Sequence, residues 1–189
     1  MDGPLPPLVA AATGRARAAG FPLSCEPAVG HLLSVLAAHL PVGARVLELG
    51  TGAGVGTAWM VCGLVPRTDV TVTTVEKDPR TAALAARGDW PQFVDLLVGD
   101  ALDVLAGTGN FDLIFADARG GKSTGLDRTI SALSPHGMLV VDDMTPTPQW
   151  TGEQRTTQDG VRQALLGSPL LTSVELDHGS GVILAARRA

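Results

Sequence analysis

The sequence predicts an α/β domain with a mostly parallel sheet covered by helices on both faces. Three observations predict it. From about residue 41 onward, short apolar runs alternate with helical stretches, and the runs are apolar on both faces, as strands buried within a parallel sheet are. The segment VLELGTGAGVGTAW, residues 46–59, passes without interruption from a strand through a glycine-rich turn into a helix. Near the C-terminus the rhythm breaks, and two strands are separated only by Asp177-His178-Gly179-Ser180-Gly181, a loop of hairpin length.

Taken in order, residues 8–19 and 27–40 read as helices, the second with His31, Leu32, Val35, Leu36 and Leu40 at helical spacing. Strands follow at Arg45–Leu49, residues 70–75, Val94–Val98, Phe111–Ala116 and residues 138–141. Helices are expected between and after them, at residues 54–64, 79–87, 101–106, 125–133 and 154–166. Leu171–Leu176 and residues 182–186 form the closing antiparallel pair, which makes seven strands. No repeat or linker divides the chain, so residues 1–189 read as one domain, with N-terminal helices (1–40) covering the active site and a core at 41–189.

Composition narrows the function. A chain of 189 residues, 45% hydrophobic, is large enough to bury a substantial core. Its net charge of −5 offers no footprint for a nucleic-acid backbone. Cys25 and Cys62 lie far apart without metal-ligand spacing, and Pro4, Pro6 and Pro7 interrupt any apolar leader. No apolar run reaches spanning length. These features predict a cytoplasmic protein with no membrane partner.

The glycines decide the ligand class. Gly50, Gly52, Gly54 and Gly56 occupy alternate positions, whereas a dinucleotide fingerprint needs G-x-G-x-x-G, whose third glycine would fall on Val55 or Thr57. The pattern present is E-x-G-x-G-x-G with Glu48 inside the strand. It resembles motif I of the class I S-adenosylmethionine (SAM)-dependent methyltransferases, in which the loop lies against the methionine part of SAM. The closing hairpin is similar to the ending of that family's Rossmann-like fold, seven strands with the last antiparallel. The resemblance implies SAM as cofactor and places Glu48, Gly50, Thr51, Gly52 and Gly54 around it. Glu76, followed by Lys77, ends the second strand, where a carboxylate can accept both ribose hydroxyls; the alternative is an exposed strand-end acid. Asp100 and Ala101 open the helix after the third strand. In the family an acid there faces the adenine amino group and the next residue offers a backbone N–H; Asp100 is equally well placed as an N-cap.

Three aspartates mark the acceptor side. Asp117 ends the fourth strand, while Asp142 and Asp143 follow the fifth, beyond the turn Ser134-Pro135-His136-Gly137. In an open α/β sheet these positions converge outside the strand ends. Two unit charges about 4 Å apart repel by roughly 4 kcal/mol at an effective dielectric near 20. So one aspartate is protonated, or they stand apart, or a cation joins them. The arrangement resembles the metal-dependent O-methyltransferases of the catechol and caffeoyl-CoA type, where an Asp after strand four and an Asp-Asn pair after strand five hold a divalent ion. That resemblance implies Mg²⁺ or another divalent cation at Asp117, Asp142 and Asp143; the alternative is that Asp142 and Asp143 brace the following loop. The chain departs from the pattern at Asp143, where the family has Asn. It departs again at Gly120, where the family has a lysine; Lys122 comes two residues later. Its N-terminal region is also short, which bears on substrate cover and on the homodimer the family leads one to expect.

Asp117, Lys122 and Asp142 are thus the candidate catalytic residues, with Trp150 a candidate wall of the acceptor pocket and His31, His39, His136 and His178 structural. The resulting expectation is a SAM-dependent O-methyltransferase acting on a small hydroxylated molecule such as a vicinal diol or catechol. Three alternatives stand beside it. An NAD oxidoreductase is disfavoured by the glycine spacing. An RNA-modifying enzyme would use a patch at Arg119, Lys122, Arg128 and Arg155. A SAM-binding protein without catalysis is the third.

Overall fold

Why the chain folds as it does is visible at its helix starts. Pro7, Pro27 and Pro79 each stand in the first turn of a helix, where the missing N–H costs nothing. They open α1 (Pro7–Ala18), α2 (Pro27–Ala38) and α4 (Pro79–Ala85), and Asp78 caps the last by accepting from the backbone of Arg80 and Thr81. The computed structural model describes residues 4–107 and 109–189; the first three residues of the expected domain, and residue 108, lie outside it.

The strands are β1 (Arg45–Leu49), β2 (Thr71–Glu76), β3 (Val94–Val98), β4 (Phe111–Ala116), β5 (Leu133–Val141), β6 (Leu171–Leu176) and β7 (Val182–Arg187). They form one seven-stranded sheet in the order β3-β2-β1-β4-β5-β7-β6. β1 to β5 run parallel, and β7 is antiparallel to both β5 and β6. The remaining helices are α3 (Val55–Leu64), α5 (Ala101–Gly107), α6 (Arg119–Lys122), α7 (Leu126–Ser131) and α8 (Gly152–Leu166). α8 begins with a capping box between Thr151 and Gln154.

Strand periodicity divides the core in two. Val46 packs with α1, α2 and α3 on one face, while Leu47 and Leu49 pack with α5, α7 and α8 on the other. α3 is buried around most of its circumference, between the sheet and α1 and α2. Gly30 of α2 makes room for the Trp59 indole of α3, whose ring a Cβ would overlap. Ser34 Oγ donates to the Trp59 carbonyl at 2.6 Å across the same contact.

Two differences from the sequence reading have local causes. β5 starts at Leu133 rather than 138, because the Pro135–Gly137 turn is absorbed as a bulge: His136 takes φ +66° and the β4–β5 register shifts between Phe111 and Leu113. α6 is a single distorted turn, with Gly120 and Gly121 outside helical φ/ψ. α1 and α2 cover a face of the sheet, and the connector between them, residues 21–26, borders the cleft.

Candidate active site

Sheet register brings the candidate residues together. Leu49 pairs with Val75 and Ala116, and Ala116 with Val141, so Gly50, Glu76, Asp117 and Asp142 leave their strands side by side. The N–H groups of Gly50 and Thr51 both donate to the Val75 carbonyl, at 3.0 and 3.1 Å, which bends the loop over β2. Gly52 then takes φ +56° and donates its N–H to Glu76 Oε2 at 3.0 Å. A Cβ on Gly52 would stand 3.0 Å from the Phe21 ring, a tight contact, and the positive φ there also favours glycine.

A groove of about 330 Å³ runs over this loop, lined by Gly50, Glu76, Lys77, Asp100, Ala101 and Arg119 among others. It continues into a cleft of about 470 Å³ that reaches Asp117, Asp142, Asp143 and Ser180 under the connector. Glu76 is held in place by two N–H donors, Gly52 at 3.0 Å and Asp78 at 2.9 Å, and still faces the groove. Asp100 caps α5 and stands on the rim of the groove. Its Oδ1 accepts from the Leu102 N–H at 2.9 Å, and its Oδ2 receives the Lys77 ammonium at 2.9 Å on the groove rim. These contacts hold the Asp100 carboxyl below the usual range, the Leu102 N–H first and Lys77 second. A glycine cradle with a carboxylate on each side suits an adenosyl ligand bearing hydroxyls and an amino group.

Three residues expected at the cofactor, Glu48, Thr51 and Gly54, border neither the groove nor the cleft. Glu48 is 1% exposed and lies on the α3 side of β1, where its Oε2 accepts from Thr57 Oγ1 and from Thr74 Oγ1. Burial pushes its carboxyl from 4.5 up to about 7, against the pull of the two threonine hydroxyls. Thr51 is buried as well, its hydroxyl 2.5 Å from that of Thr74. Both side chains therefore support the loop from beneath, bordering only a small space of about 10 Å³ that they share with Cys25 and Asp117. Gly54 (φ +88°) lies against Trp90, 2.8 Å from where its Cβ would be, and borders neither the groove nor the cleft. The reason is strand alternation: Glu48 shares Val46's side of β1, which α3 covers, and Gly56 of α3 leaves the space its carboxylate fills.

The three aspartates differ in their surroundings. Asp117 faces the cleft and has no side-chain hydrogen-bond partner among the described residues; burial, then Asp142, raises its pKa well above the ordinary value. Asp142 is 2% exposed, and its Oδ1 accepts from Ser180 Oγ and from the Asp143 N–H at 2.7 Å. Asp143 takes φ +56°, a conformation Asp and Asn tolerate better than most residues, and its side chain is 57% exposed. Lys122 sits behind them. It is buried, donates to the Asp142 carbonyl at 3.1 Å, and lies 3.6 Å from Asp143 Oδ2. Among the described residues, no group of three His, Cys, Asp or Glu side chains is placed to hold a metal ion. Asp142 turns one oxygen to Ser180 and Asp143 turns one to the Lys122 ammonium, while Asp117 faces the cleft. Lys122, expected to meet the acceptor, does not border the cleft.

Other cleft residues had no sequence signal. The connector (Phe21, Leu23, Cys25, Glu26) is separated from the loop by a whole helix, and Ser180 reaches Asp142 from the β6–β7 turn. Arg119 was read only as part of a phosphate-binding patch, yet it lines both groove and cleft. Of the other patch residues, Lys122 is buried and Arg155 donates to the Thr147 carbonyl at 2.9 Å. Trp150 borders neither groove nor cleft. The His31 ring lies tilted against Trp59 with centroids 4.4 Å apart, and His178 bonds the Ala28 carbonyl at 2.8 Å. Among the described residues no helix is long and apolar enough to cross a membrane.

Known proteins share this architecture. Residues 47–144 match a family model described as a methyltransferase domain. A catechol O-methyltransferase of Niastella koreensis is 34% identical over 164 residues, covering 82% of this chain and 73% of that one. A relative from Mycolicibacterium smegmatis is 40% identical over 118 residues, 59% of this chain but only about half (54%) of its own length. The crystal structure of the O-methyltransferase TomG from Streptomyces achromogenes, in complex with SAM, superposes with a TM-score of 0.80 at 24% identity, covering 100% of this chain and 93% of that one. With the glycine loop, the strand-end acids and the reversed seventh strand in place, the chain belongs to the class I SAM-dependent methyltransferases and is similar to the catechol- and caffeoyl-CoA-type bacterial O-methyltransferases.

Proposed function

We propose that this protein transfers a methyl group from SAM to a hydroxyl of a small molecule, with Asp117 receiving the proton. The observation that carries this reading is the unpartnered Asp117 carboxylate, which faces a cleft continuous with the cofactor groove. SAM supplies an electrophilic methyl group when bound. The chain's residues do the rest. Glu76 receives the ribose hydroxyls, Asp100 and Ala101 border the adenine, and the loop from Gly50 to Gly52 borders the methionine part. Held in line with the S–CH₃ bond, the acceptor oxygen needs to lose its proton as it takes the methyl group. Asp117 is the open base for that proton, since Asp142 is engaged with Ser180 and Lys122 lies behind the cleft.

The cleft's size and lining favour a compact acceptor. Phe21, Leu23 and Cys25 give it an apolar side, and Asp142, Asp143 and Ser180 a polar one, which suits a ring bearing neighbouring hydroxyls. The catechol O-methyltransferase relative makes catechols the first acceptors to test. Isothermal titration should show SAM and S-adenosylhomocysteine (SAH) binding with one site per chain. Mass spectrometry of a panel of catechols and other small hydroxylated molecules should find a methylated product. Absence of a heat response to both SAM and SAH refutes the cofactor assignment, and SAM binding without methylation of any panel member refutes the acceptor class.

A further inference from the structure

The proposed function leaves Lys122 without a task. We propose that its ammonium is the fixed cation of the acceptor site, holding Asp142 and Asp143 where a divalent ion would otherwise do so, and that the site works without a bound metal. This rests on the methyltransferase reading of the cleft.

The position of the charge is the first argument. Lys122 has a side chain only 7% exposed, yet its ammonium lies 3.6 Å from the Asp143 carboxylate and 3.1 Å from the Asp142 carbonyl. A buried ammonium persists only where acceptors and opposite charge compensate its lost hydration. Asp142 and Asp143 supply both. An ammonium beside the Asp143 carboxylate and a divalent ion drawn to that carboxylate repel each other, so the resident charge disfavours the second.

The segment carrying Lys122 is the second argument, and it is independent of the aspartates. Gly121 takes φ +87°, and a Cβ there would collide with Leu49. Its N–H donates to the Thr124 carbonyl at 2.7 Å, and its carbonyl accepts from the buried Thr129 hydroxyl at 2.7 Å. The turn therefore passes under the end of β1 in one defined path and delivers the next side chain inward. A lysine two residues nearer Asp117, at the position of Gly120, would precede this turn. Its displacement to 122 and the Gly120-Gly121 pair belong to one arrangement. Lys122 acts through Asp142 and Asp143, so it is a positioning residue.

The test reads metal capture directly, by the free-Mn²⁺ electron paramagnetic resonance signal with and without SAH. Wild-type protein should leave the signal undiminished at millimolar Mn²⁺. Lys122→Met, which frees the Asp143 carboxylate, should remove about one Mn²⁺ per chain, and Lys122→Arg should behave as wild type. One-to-one capture of Mn²⁺ by the wild-type protein overturns the proposal, as does a folded Lys122→Met protein that captures none. If Lys122→Met does not fold, the wild-type measurement decides. Failure of SAH to bind, measured separately by titration, would count against the cofactor reading, while the Mn²⁺ measurement without SAH still decides this one. With an acceptor in hand, the chelator-treated wild type should retain its full rate, and a tenfold loss restored by Mg²⁺ would overturn the inference.

Discussion

Replacing Glu48 with Gln isolates a pH-dependent contribution to stability that the structure localises to one side chain. The carboxylate is fully enclosed between β1 and α3, with the Thr57 and Thr74 hydroxyls donating to one oxygen. Burial raises its pKa from 4.5 to about 7. The folded chain then holds the proton more tightly than the unfolded chain, so stability falls as pH rises through this interval. The penalty is absent below about pH 4.5 and complete above about pH 7. At 1.36 kcal/mol per pKa unit, the span amounts to about 3 kcal/mol. Glutamine keeps the shape, an acceptor oxygen for the threonines and a donor where the protonated acid had one, but it does not ionise. Urea unfolding of ligand-free wild type and Glu48→Gln across pH 4.5–8.5 should show the variant gaining on the wild type by about 3 kcal/mol toward high pH. Other titrating groups contribute to both proteins and largely cancel in the difference. Parallel stability curves over the whole range would refute the assignment of a buried, proton-holding Glu48.

Further outcomes follow from other contacts. Glu76→Ala removes the carboxylate that faces the groove; loss of hydrogen bonds to a charged group of about 1.5–3 kcal/mol weakens SAH binding by about ten- to hundredfold, and an unchanged titration would contradict that placement. Gly30→Ala puts a methyl group into the Trp59 indole and should lower stability by about 1–3 kcal/mol in urea, because α2 and α3 must separate; an unmoved midpoint would show that the helices have slack. Asp117→Asn should reduce methyl transfer by about 10²–10⁴-fold while SAH affinity stays within a few-fold. A variant with near-normal turnover would move the base elsewhere.

The strands and most helices were legible because each depends on residues close in sequence. Apolar runs marked Arg45–Leu49, Val94–Val98, Phe111–Ala116 and Leu171–Leu176 at the bounds observed, since strand burial follows local hydrophobicity and the flanking turn residues. The Pro-His-Gly segment near the start of β5 reads as a turn, and only pairing with β4 on either side of it holds it as a bulge within the strand. For the site, position along the chain was legible and direction was not. Glu76, Asp100 and Asp117 end or follow strands, and a strand end in a parallel sheet points its next residue at the ligand. Glu48 and Thr51 lie within the same motif, yet their side chains turn under the loop.

The sequence by itself determined the α/β class, the glycine loop with its strand-end acids, and hence the methyltransferase family. Those features are encoded in short spacings, which hydrophobic periodicity and glycine's backbone freedom translate directly into local structure. Only the tertiary structure decided which side of β1 is covered by α3, that residues 21–26 border the cleft, and that Ser180 reaches Asp142. It also decided the fate of Lys122. A lysine after two glycines carries no local sign of its direction, and its burial beside the aspartates depends on the path of a turn packed against Leu49 and Thr129. Contacts between residues far apart in the chain arise from packing and register, and no local spacing carries them.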